Sequence, residues 1–506
     1  MIVISRLPAQ VSQDLFRISA RLARLWLIAR RVRGFGMQDR PIEPAAAAPI
    51  SGQQGGGQPD GLPVPQRYLA ILTIALGLTM AVLDGAIANI ALPTIAHDLQ
   101  VSAAASIWVV NAYQLAVTVS LLPLASAGDI IGYRRVYQVG LALFTVASLG
   151  CAMSDSLFTL TVMRVLQGFG AAGVLSVNTA LIRFIYPRKL LGRGVGINAM
   201  VGSVASALGP TVASAILSVA HWPWLFAVNG PVGAIAFVIA ARTLPRTRGT
   251  PHPFDTASAL MSAATFGLLI MCVDGLGHGQ GRATIMVELL GTLVIGAVLV
   301  QRQFSRSAPL LPVDLLRIPI FALSIATSIC SFTAQGLAYV SLPFFFQDVL
   351  GRSQVETGLL MTPWPLTVAC VADLAGRLSD RFSAGVLGGI GLAILSTGLA
   401  LLALLPAHPT TLDIVWRTSI CGLGFGFFNT PNNRAMISSA PRSRSGGASG
   451  MLATARLLGQ TLGAALVAVS FSLFPSYGTQ LTLVLGASFA GAAAVVSCLR
   501  IGRSGP

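Results

Sequence analysis

The sequence predicts an all-α membrane protein of fourteen spans, built as two six-helix bundles with two further helices inserted between them. Three observations carry this expectation. The chain has 506 residues, of which 54% are hydrophobic and only 10% charged, with mean hydropathy +0.75; a soluble domain carries about a quarter charged residues. Arginine falls in loops of one parity. The two ends of the chain repeat one another at a nearly constant offset.

A helix needs about 20 mostly apolar residues to cross the hydrocarbon of a bilayer. Fourteen such stretches can be marked, at 69–93, 105–125, 136–153, 157–178, 195–219, 222–241, 257–275, 284–301, 319–345, 356–375, 384–405, 412–433, 451–473 and 479–499. Span four contains Gly168, Gly170, Ala171, Ala172 and Gly173, and span five contains Gly202, Ser203, Ala205, Ser206, Ala207 and Gly209. Small residues at these spacings let helix backbones approach closely where lipid gives no hydrophobic drive for association. The spans should therefore form a packed bundle in the lipid bilayer.

Loop charge orders the spans. Arg134 and Arg135 follow span two; the next loops of that parity hold Arg183, Arg188, Lys189 and Arg193, then Arg242, Arg246 and Arg248, then Arg302, Arg306 and Arg317. Arg377 and Arg381, then Arg434, Arg442 and Arg444, and finally Arg500 and Arg503 complete the set, while the opposite loops hold only Arg282 and Arg352. Positive charge is retained on the cytoplasmic side during insertion, so both termini are expected in the cytoplasm of a multi-pass protein of the cell's inner (plasma) membrane. A missed span would invert every later loop.

The formal charge of +16 and pI near 10.8 do not form a continuous basic face, so nucleic acid is not an expected partner. Cys151, Cys272, Cys330, Cys370, Cys421 and Cys498 lie in or at the ends of apolar spans without metal spacing and read as small core residues. His97, His221, His278 and His408 fall in outer loops and His252 in an inner one, offering no metal cluster. A Walker-type phosphate loop is absent from the sequence. Neither an enzyme nor a cofactor is expected, and a monomer suffices.

The repeat is visible in three places. Gly128-Asp129-Ile130-Ile131-Gly132-Tyr133-Arg134-Arg135 follows span two, and Gly376-Arg377-Leu378-Ser379-Asp380-Arg381 follows span ten. Arg164 with Gly168-Phe169-Gly170 in span four is echoed by Arg417 with Gly424-Phe425-Gly426 in span twelve; Pro187 is echoed by Pro441. The offsets of Asp129 to Asp380, Arg164 to Arg417 and Pro187 to Pro441 are 251, 253 and 254 residues, as a duplicated unit requires. Parallel halves of this kind are a standard transporter architecture. They divide the chain into a six-helix bundle at 67–243, a linker with two extra spans at 244–318, and a second bundle with a short tail at 319–506.

Residues 1–66 form a different kind of sequence. The Pro-, Gly- and Gln-rich stretch 41–66 reads as a disordered tether. Leu15, Ile18, Leu22, Leu25 and Ala29 recur at helical spacing with Arg17, Arg21 and Arg24 on another face, which suits a basic amphipathic helix on the inner leaflet. Residues 1–36 read equally well as an over-extended start before Met37, and an Arg-rich leader is a third reading.

With these motifs in hand the chain resembles the fourteen-helix drug:proton antiporters of the major facilitator superfamily. Leu83-Asp84-Gly85-Ala86-Ile87-Ala88-Asn89-Ile90-Ala91-Leu92-Pro93 resembles that family's first-helix motif. Gly128 to Arg135 resembles the cytoplasmic motif after helix two, Arg164 to Gly170 the helix-four motif, and Gly202 to Pro210 the antiporter motif of helix five, with Gly202, Gly209 and Pro210 in place. Two departures stand out. Ile130 occupies the place of an arginine after Asp129, which weakens a charge network there, and Ala213 and Ser214 replace a glycine pair, which predicts looser packing. The resemblance implies export of drugs or toxic compounds, driven by the proton gradient and conferring antibiotic resistance.

Asp84 is the leading candidate site residue. A carboxylate inside a span costs roughly 2.5 to 3.5 kcal/mol on insertion scales, so it must face a cavity or a partner. Burial favours the neutral form of a carboxylate, which suits proton loading and release; a buried anion also suits a lipophilic cation. The resemblance implies one of these roles or both in competition, and the bland alternative is a carboxylate bonded to a neighbour such as Asn89 or Asn111. Arg164 in span four needs a carboxylate, carbonyl or water, and Asp84 is a candidate partner; the resemblance associates it with proton relay. Asp129 with Arg134 and Arg135, and Arg377 with Asp380 and Arg381, sit where charge pairs could lock one access state, or simply anchor the helix ends. Trp364, between Pro363 and Pro365, breaks span ten and either lines the cavity or packs. Asp274 and Glu288 near outer ends and Asp373 near an inner end can reach interfacial water.

The expected function is a secondary active exporter that takes hydrophobic, often cationic small molecules outward against proton entry. Export of an endogenous metabolite or lipid is the alternative within the same fold, and a sensor that binds without transport is the alternative outside it.

Overall fold

The computed structural model describes residues 61–187, 190–247, 254–277, 280–304, 313–379, 381–406, 408–440, 445–474 and 477–500. The expected amphipathic helix at 15–29, most of the tether and Asp380 lie outside the described residues. Those described belong to one compact unit, Pro59–Pro506.

Fourteen membrane-length helical segments follow in order. The first six are α1 (Val64–Asp98), α2 (Trp108–Ile131, after a turn Ala103–Ser106), α3 (Tyr133–Ala152), α4 (Leu157–Ile185), α5 (Leu191–Leu217) and α6 (Asn229–Thr243, after a short helix Pro223–Ala227). The inserted pair is α7 (Thr256–Gly277) and α8 (Arg282–Phe304). Then come α9 (Pro319–Phe344, continued by a π-turn Phe345–Val349), α10 (Pro363–Leu378, after a short helix Gln354–Met361), α11 (Ala384–Ala403), α12 (Thr411–Ser439), α13 (Ser445–Leu473) and α14 (Gly478–Cys498). Thirteen are long and apolar enough to cross a membrane by composition. The other, α12, is diluted by Arg417, Asn429, Asn432, Asn433 and Arg434, but its 29 residues reach about 43 Å at 1.5 Å per residue, more than the hydrocarbon needs.

Helix ends obey local chemistry. Ser156 with Thr159, Ser353 with Glu356 and Thr410 with Asp413 form reciprocal caps at the starts of α4, the α10 lead-in and α12, satisfying amide groups that a helix start leaves open. Gly132 turns the chain from α2 into α3 at φ +98°, a conformation a side chain would strain. The tether is ordered earlier than the composition predicts: α1 begins at Val64, and the Leu62 amide donates to the Ile185 carbonyl at 3.0 Å.

The two bundles pack alike. Within the first, α3 lies on α4, α2 on α4, α1 on α5 and α6, and α3 on α6; within the second, α11 lies on α12, α10 on α12, α9 on α13 and α14, and α11 on α14. Each pair in one bundle thus has its counterpart eight helices later. Glycines make the tightest crossings. A Cβ on Gly140 would meet Gly170 and Gly173 backbone within 2.9 Å, and one on Gly391 would meet the Gly424 carbonyl at 2.6 Å; Gly140 and Gly391 are separated by the repeat offset. The inserted α7–α8 pair lies with α7 against both α2 and α13, and α8 exposes Val287, Leu290, Leu293 and Val294, a surface suited to lipid.

Two composition-based expectations need correction. Cys370 and Cys498 are exposed, not core residues. Glu288 does not reach water: it is buried and its Oε2 has no hydrogen-bond partner, because it sits a turn and a half inside α8.

Candidate functional site

The site is assembled from five helices of the first bundle, α1, α2, α3, α4 and α6. Asp84 of α1 is buried, as is Arg164 of α4, and the Arg164 guanidinium donates through Nη1 to Asp84 Oδ2. The other carboxylate oxygen accepts from the Gln167 amide at 2.8 Å and from Asn229 Nδ2 of α6 at 3.1 Å. Arg164 also donates to the Val109 carbonyl at 2.8 Å and the Gln167 carbonyl oxygen at 2.6 Å, and Gln167 donates to the Ser148 hydroxyl at 2.7 Å. Tyr113 and Phe226 rings cover the guanidinium at 4.2 and 5.4 Å. One nitrogen, Nη2, is left without a partner.

Such a pair is strongly coupled. Two charges removed from water hold only through good geometry and added hydrogen bonds, and here each carboxylate oxygen and three of the arginine's bonds are spoken for. Protonation of Asp84 would cancel the attraction and leave Arg164 buried with a neutral neighbour. Through its bonds the Asp84 carboxylate ties α1 to both α4 and α6.

Other sequence-predicted residues divide. Asn89 and Asn111 are not partners of Asp84: Asn89 Nδ2 donates to the Gly85 carbonyl at 3.3 Å, while both amide atoms of buried Asn111 lack partners. Gln167 and Asn229 take that role because they lie on helices facing α1, which local sequence cannot reveal. Trp364 is buried edge-on to Tyr339 with centroids 5.1 Å apart, and its Nε1 has no partner. In the turn between α2 and α3, Tyr133 donates its hydroxyl to Asp129, Arg134 donates to the carbonyls of Leu244 (3.0 Å) and Ala241 at the end of α6, and Arg135 is exposed. Thr247 closes the turn: its hydroxyl accepts from the Tyr133 amide at 2.8 Å, and its carbonyl lies 2.7 Å from where a Gly132 Cβ would be. Gly128 packs on Val177 and Tyr133. Arg377 pairs with Asp373 at 2.7 Å on the surface, so Asp373 stays out of the interior. A Cβ on Gly376 would meet only Thr430 at 3.9 Å, and Arg381 follows the end of α10, where its amide donates to the Leu378 carbonyl at 3.0 Å.

Along α5, a Cβ on Gly209 would sit 2.6 Å from Ala86, whereas one on Gly202 would only touch Leu78 at 3.7 Å. The looser packing predicted at Ala213 and Ser214 is not found. Ala213 is fully buried, and Ser214 donates to the Pro210 and Val355 carbonyls, both at 3.0 Å. The second of these bonds joins the bundles. Beside it, the Thr211 and Thr362 hydroxyls bond at 3.0 Å, Thr94 donates to Gln347 at 3.3 Å, and Gln347 donates to the Ile90 carbonyl at 2.9 Å. These four contacts close the bundles together toward the face of the arginine-poor loops.

The rule that arginines sit in loops also has exceptions beyond Arg164. Arg417, its repeat partner, donates to the Leu401 carbonyl and lies over Trp416 at 5.1 Å, with no acid among the described residues in place of Asp84. Arg500 is buried after α14, donating to Asn432 (2.7 Å), Ser324 (2.9 Å) and Ser497; burial pushes its guanidinium down to about 10. Arg456 stands in the middle of α13. The signal for it was available in the sequence as a charge inside an apolar span.

A duplicated all-helical bundle with a sealed intramembrane ion pair and paired bundle contacts at one face defines a membrane transporter of the two-bundle class. The family profile described as Major Facilitator Superfamily matches residues 74–464, and the chain belongs to that superfamily. It is 58% identical over 446 residues to the uncharacterized transporter YebQ of Escherichia coli strain K12, covering 88% of this chain and 98% of that protein. It is 29% identical over 417 residues to the riboflavin transporter RibZ of Clostridioides difficile strain 630, covering 82% and 90%. With the multidrug resistance protein Stp of Mycobacterium tuberculosis it shares 31% over 406 residues, covering 79% and 75%.

Proposed function

We propose that this transporter is a proton-coupled exporter of hydrophobic compounds, of the fourteen-helix drug:proton antiporter type, working as a monomer in the inner membrane with its arginine-rich face in the cytoplasm. The observation that carries the reading is the buried Asp84–Arg164 pair. With the bundles joined at the arginine-poor face, the pair is intact. Substrate would enter from the cytoplasm or inner leaflet in this state. After the bundles rock, a proton from outside reaches Asp84, Arg164 loses its counter-charge, and α1, α4 and α6 relax. Return to the inward state releases the proton to the cytoplasm. Asp84 serves as the proton site and not as a cation receptor, since its oxygens already hold Arg164, Gln167 and Asn229. The turn that carries Asp129 and Arg134, and the one that carries Arg377 and Arg381, would steady the cytoplasmic ends during this exchange.

Similarity to Stp supports drug export, and similarity to RibZ supports a second reading, movement of an endogenous metabolite. Inverted vesicles with a panel of dyes, with and without a proton gradient, test the proposal: uptake that requires the gradient in wild type and disappears in Asp84→Asn at equal expression is expected. Undiminished gradient-driven uptake in that variant overturns the coupling role. Broad mutual competition among unrelated compounds favours the drug reading; one tight ligand favours the metabolite.

A further inference from the structure

Arg456 lies eleven residues beyond Ser445, the first residue of α13, which is about 17 Å along the helix at 1.5 Å per residue and so deep in the membrane. Its helix forms the seam between the bundles. Ala453 and Leu457, on either side of it, pack into the cluster of Tyr113, Val117 and Leu121 from α2. The Tyr113 hydroxyl donates to the Ala81 carbonyl at 2.9 Å, and a neutral phenol supplies no counter-charge to the arginine. Arg456 Nε is buried with no hydrogen-bond partner, and among the described residues no carboxylate pairs with this arginine. The side chain as a whole is half-buried, so it borders open space.

Polar and aromatic groups continue from it across the second bundle. One turn along α13, Gln460 donates to Gln335 of α9 at 3.5 Å. Gln335 lies one turn before Tyr339 on α9, and Tyr339 meets the edge of Trp364, whose indole N–H is unpartnered. Tyr339 and Gln460 are half-buried like Arg456. Charge balance at the centre is one-sided. Asp84 and Arg164 cancel each other, which leaves Arg456 as an uncompensated cation at the seam. A guanidinium in that position attracts an anion and repels a lipophilic cation.

We infer that Arg456 is the counter-charge for an acidic group of the substrate, and that the cargo is an amphipathic organic anion, a carboxylate or ionised phenol on an aromatic body, read by Gln460, Gln335, Tyr339 and Trp364. This rests on the transporter reading above and reverses the cationic preference that the sequence resemblance implied. Asp84 handles the proton while Arg456 handles the cargo, so one protein holds the two charges at separate places.

A matched pair of dyes tests it: fluorescein, an anionic xanthene, and a cationic rhodamine ester of the same ring system. Binding to the full-length detergent-solubilised protein is read by fluorescence anisotropy. Wild type should bind fluorescein in preference to the rhodamine; Arg456→Gln should weaken fluorescein by about tenfold or more, the size expected for loss of one charge-assisted contact. Arg456→Lys, which keeps the charge, should retain the preference, and equal helix content and elution volume exclude misfolding. A wild type that prefers the rhodamine, or an Arg456→Gln protein that keeps its fluorescein preference, overturns the assignment. Proteoliposome flux separates this from the exporter reading. Fluorescein bound through Arg456 but unmoved by a proton gradient overturns export and leaves the cargo assignment standing; gradient-driven flux of rhodamine alone does the reverse.

Discussion

Asp84 and Arg164 occupy places that neither charge could hold alone. Removing one partner of a buried pair leaves the other uncompensated, at a cost of about 3–5 kcal/mol. Arg164→Ala should therefore lower the thermal unfolding temperature in detergent more than Asp84→Asn does. The amide introduced by Asp84→Asn could still accept from Gln167, Asn229 and the Arg164 guanidinium, whereas Arg164→Ala also removes the bonds to Val109 and Gln167. Combining Asp84→Asn with Arg164→Gln should recover much of the loss; strict additivity of the two would sink the coupling. A milder pair fastens the inserted helices. Asp255 accepts from Arg302 at 3.0 Å and from Ser258, and although burial alone would raise its pKa, these bonds lower it from 3.8 to about 2. A carboxylate depressed on folding stabilises above its unfolded value, and that contribution drains away as pH falls from 3.8 toward 2. Because both side chains are partly exposed, the effect should be under about 1 kcal/mol. Asp255→Asn should lower the unfolding temperature slightly at neutral pH and flatten its dependence in that acid window.

At the scale of elements, the crossings of α3 with α4 and of α11 with α12 are set by glycine. On Gly170 a Cβ would meet the Phe144 backbone within 2.7 Å, and on Gly424 the Leu395 backbone within 2.9 Å; backbone cannot move aside as a side-chain tip can. Gly170→Ala and Gly424→Ala should each reduce folded yield and melting temperature. Gly267→Ala on α7, where nothing lies within 4 Å, should do neither, and helix propensity favours it by up to about 1 kcal/mol. Size-exclusion yield and melting curves of the three variants decide this. α3, α4 and α11 were legible in the sequence as long apolar runs, and α12, diluted by polar residues, as the echo of α4 in the repeat. Their glycines were legible as small residues, but which glycine met which backbone was not, since a helix presents several small faces and only packing selects one.

For the whole molecule, the bundles meet at the arginine-poor face through Ser214, Thr211, Thr94 and Gln347. Gly358 lies inside that closure: a Cβ there would strike the Ser214 hydroxyl and come within 2.6 Å of the Pro210 carbonyl. Gly358→Val should wedge α5 from the α10 lead-in and shift the population toward a state open on that face. Spin labels placed on the loops after α1 and α9 should then report longer distances; unchanged distances would mean that the contact is not the latch. The duplicated packing explains why one wedge suffices, as each bundle is internally firm and the seam is where the molecule can yield.

By itself the sequence determined the spans, their alternation and their duplication, because hydrophobic length, loop charge and repeat offset are local or periodic properties of the chain. It also marked Asp84 and Arg164, since a charge in an apolar run is conspicuous wherever the run folds. Tertiary structure alone decided their company: Gln167 and Asn229 instead of Asn89 and Asn111, a capping Arg134, a buried Glu288. It also left Arg456 without an acid while Arg164 received one. Partner choice depends on which faces of separate helices meet across the bundle, and with lipid giving no hydrophobic drive, that meeting is settled by close packing and the need to satisfy each buried polar group.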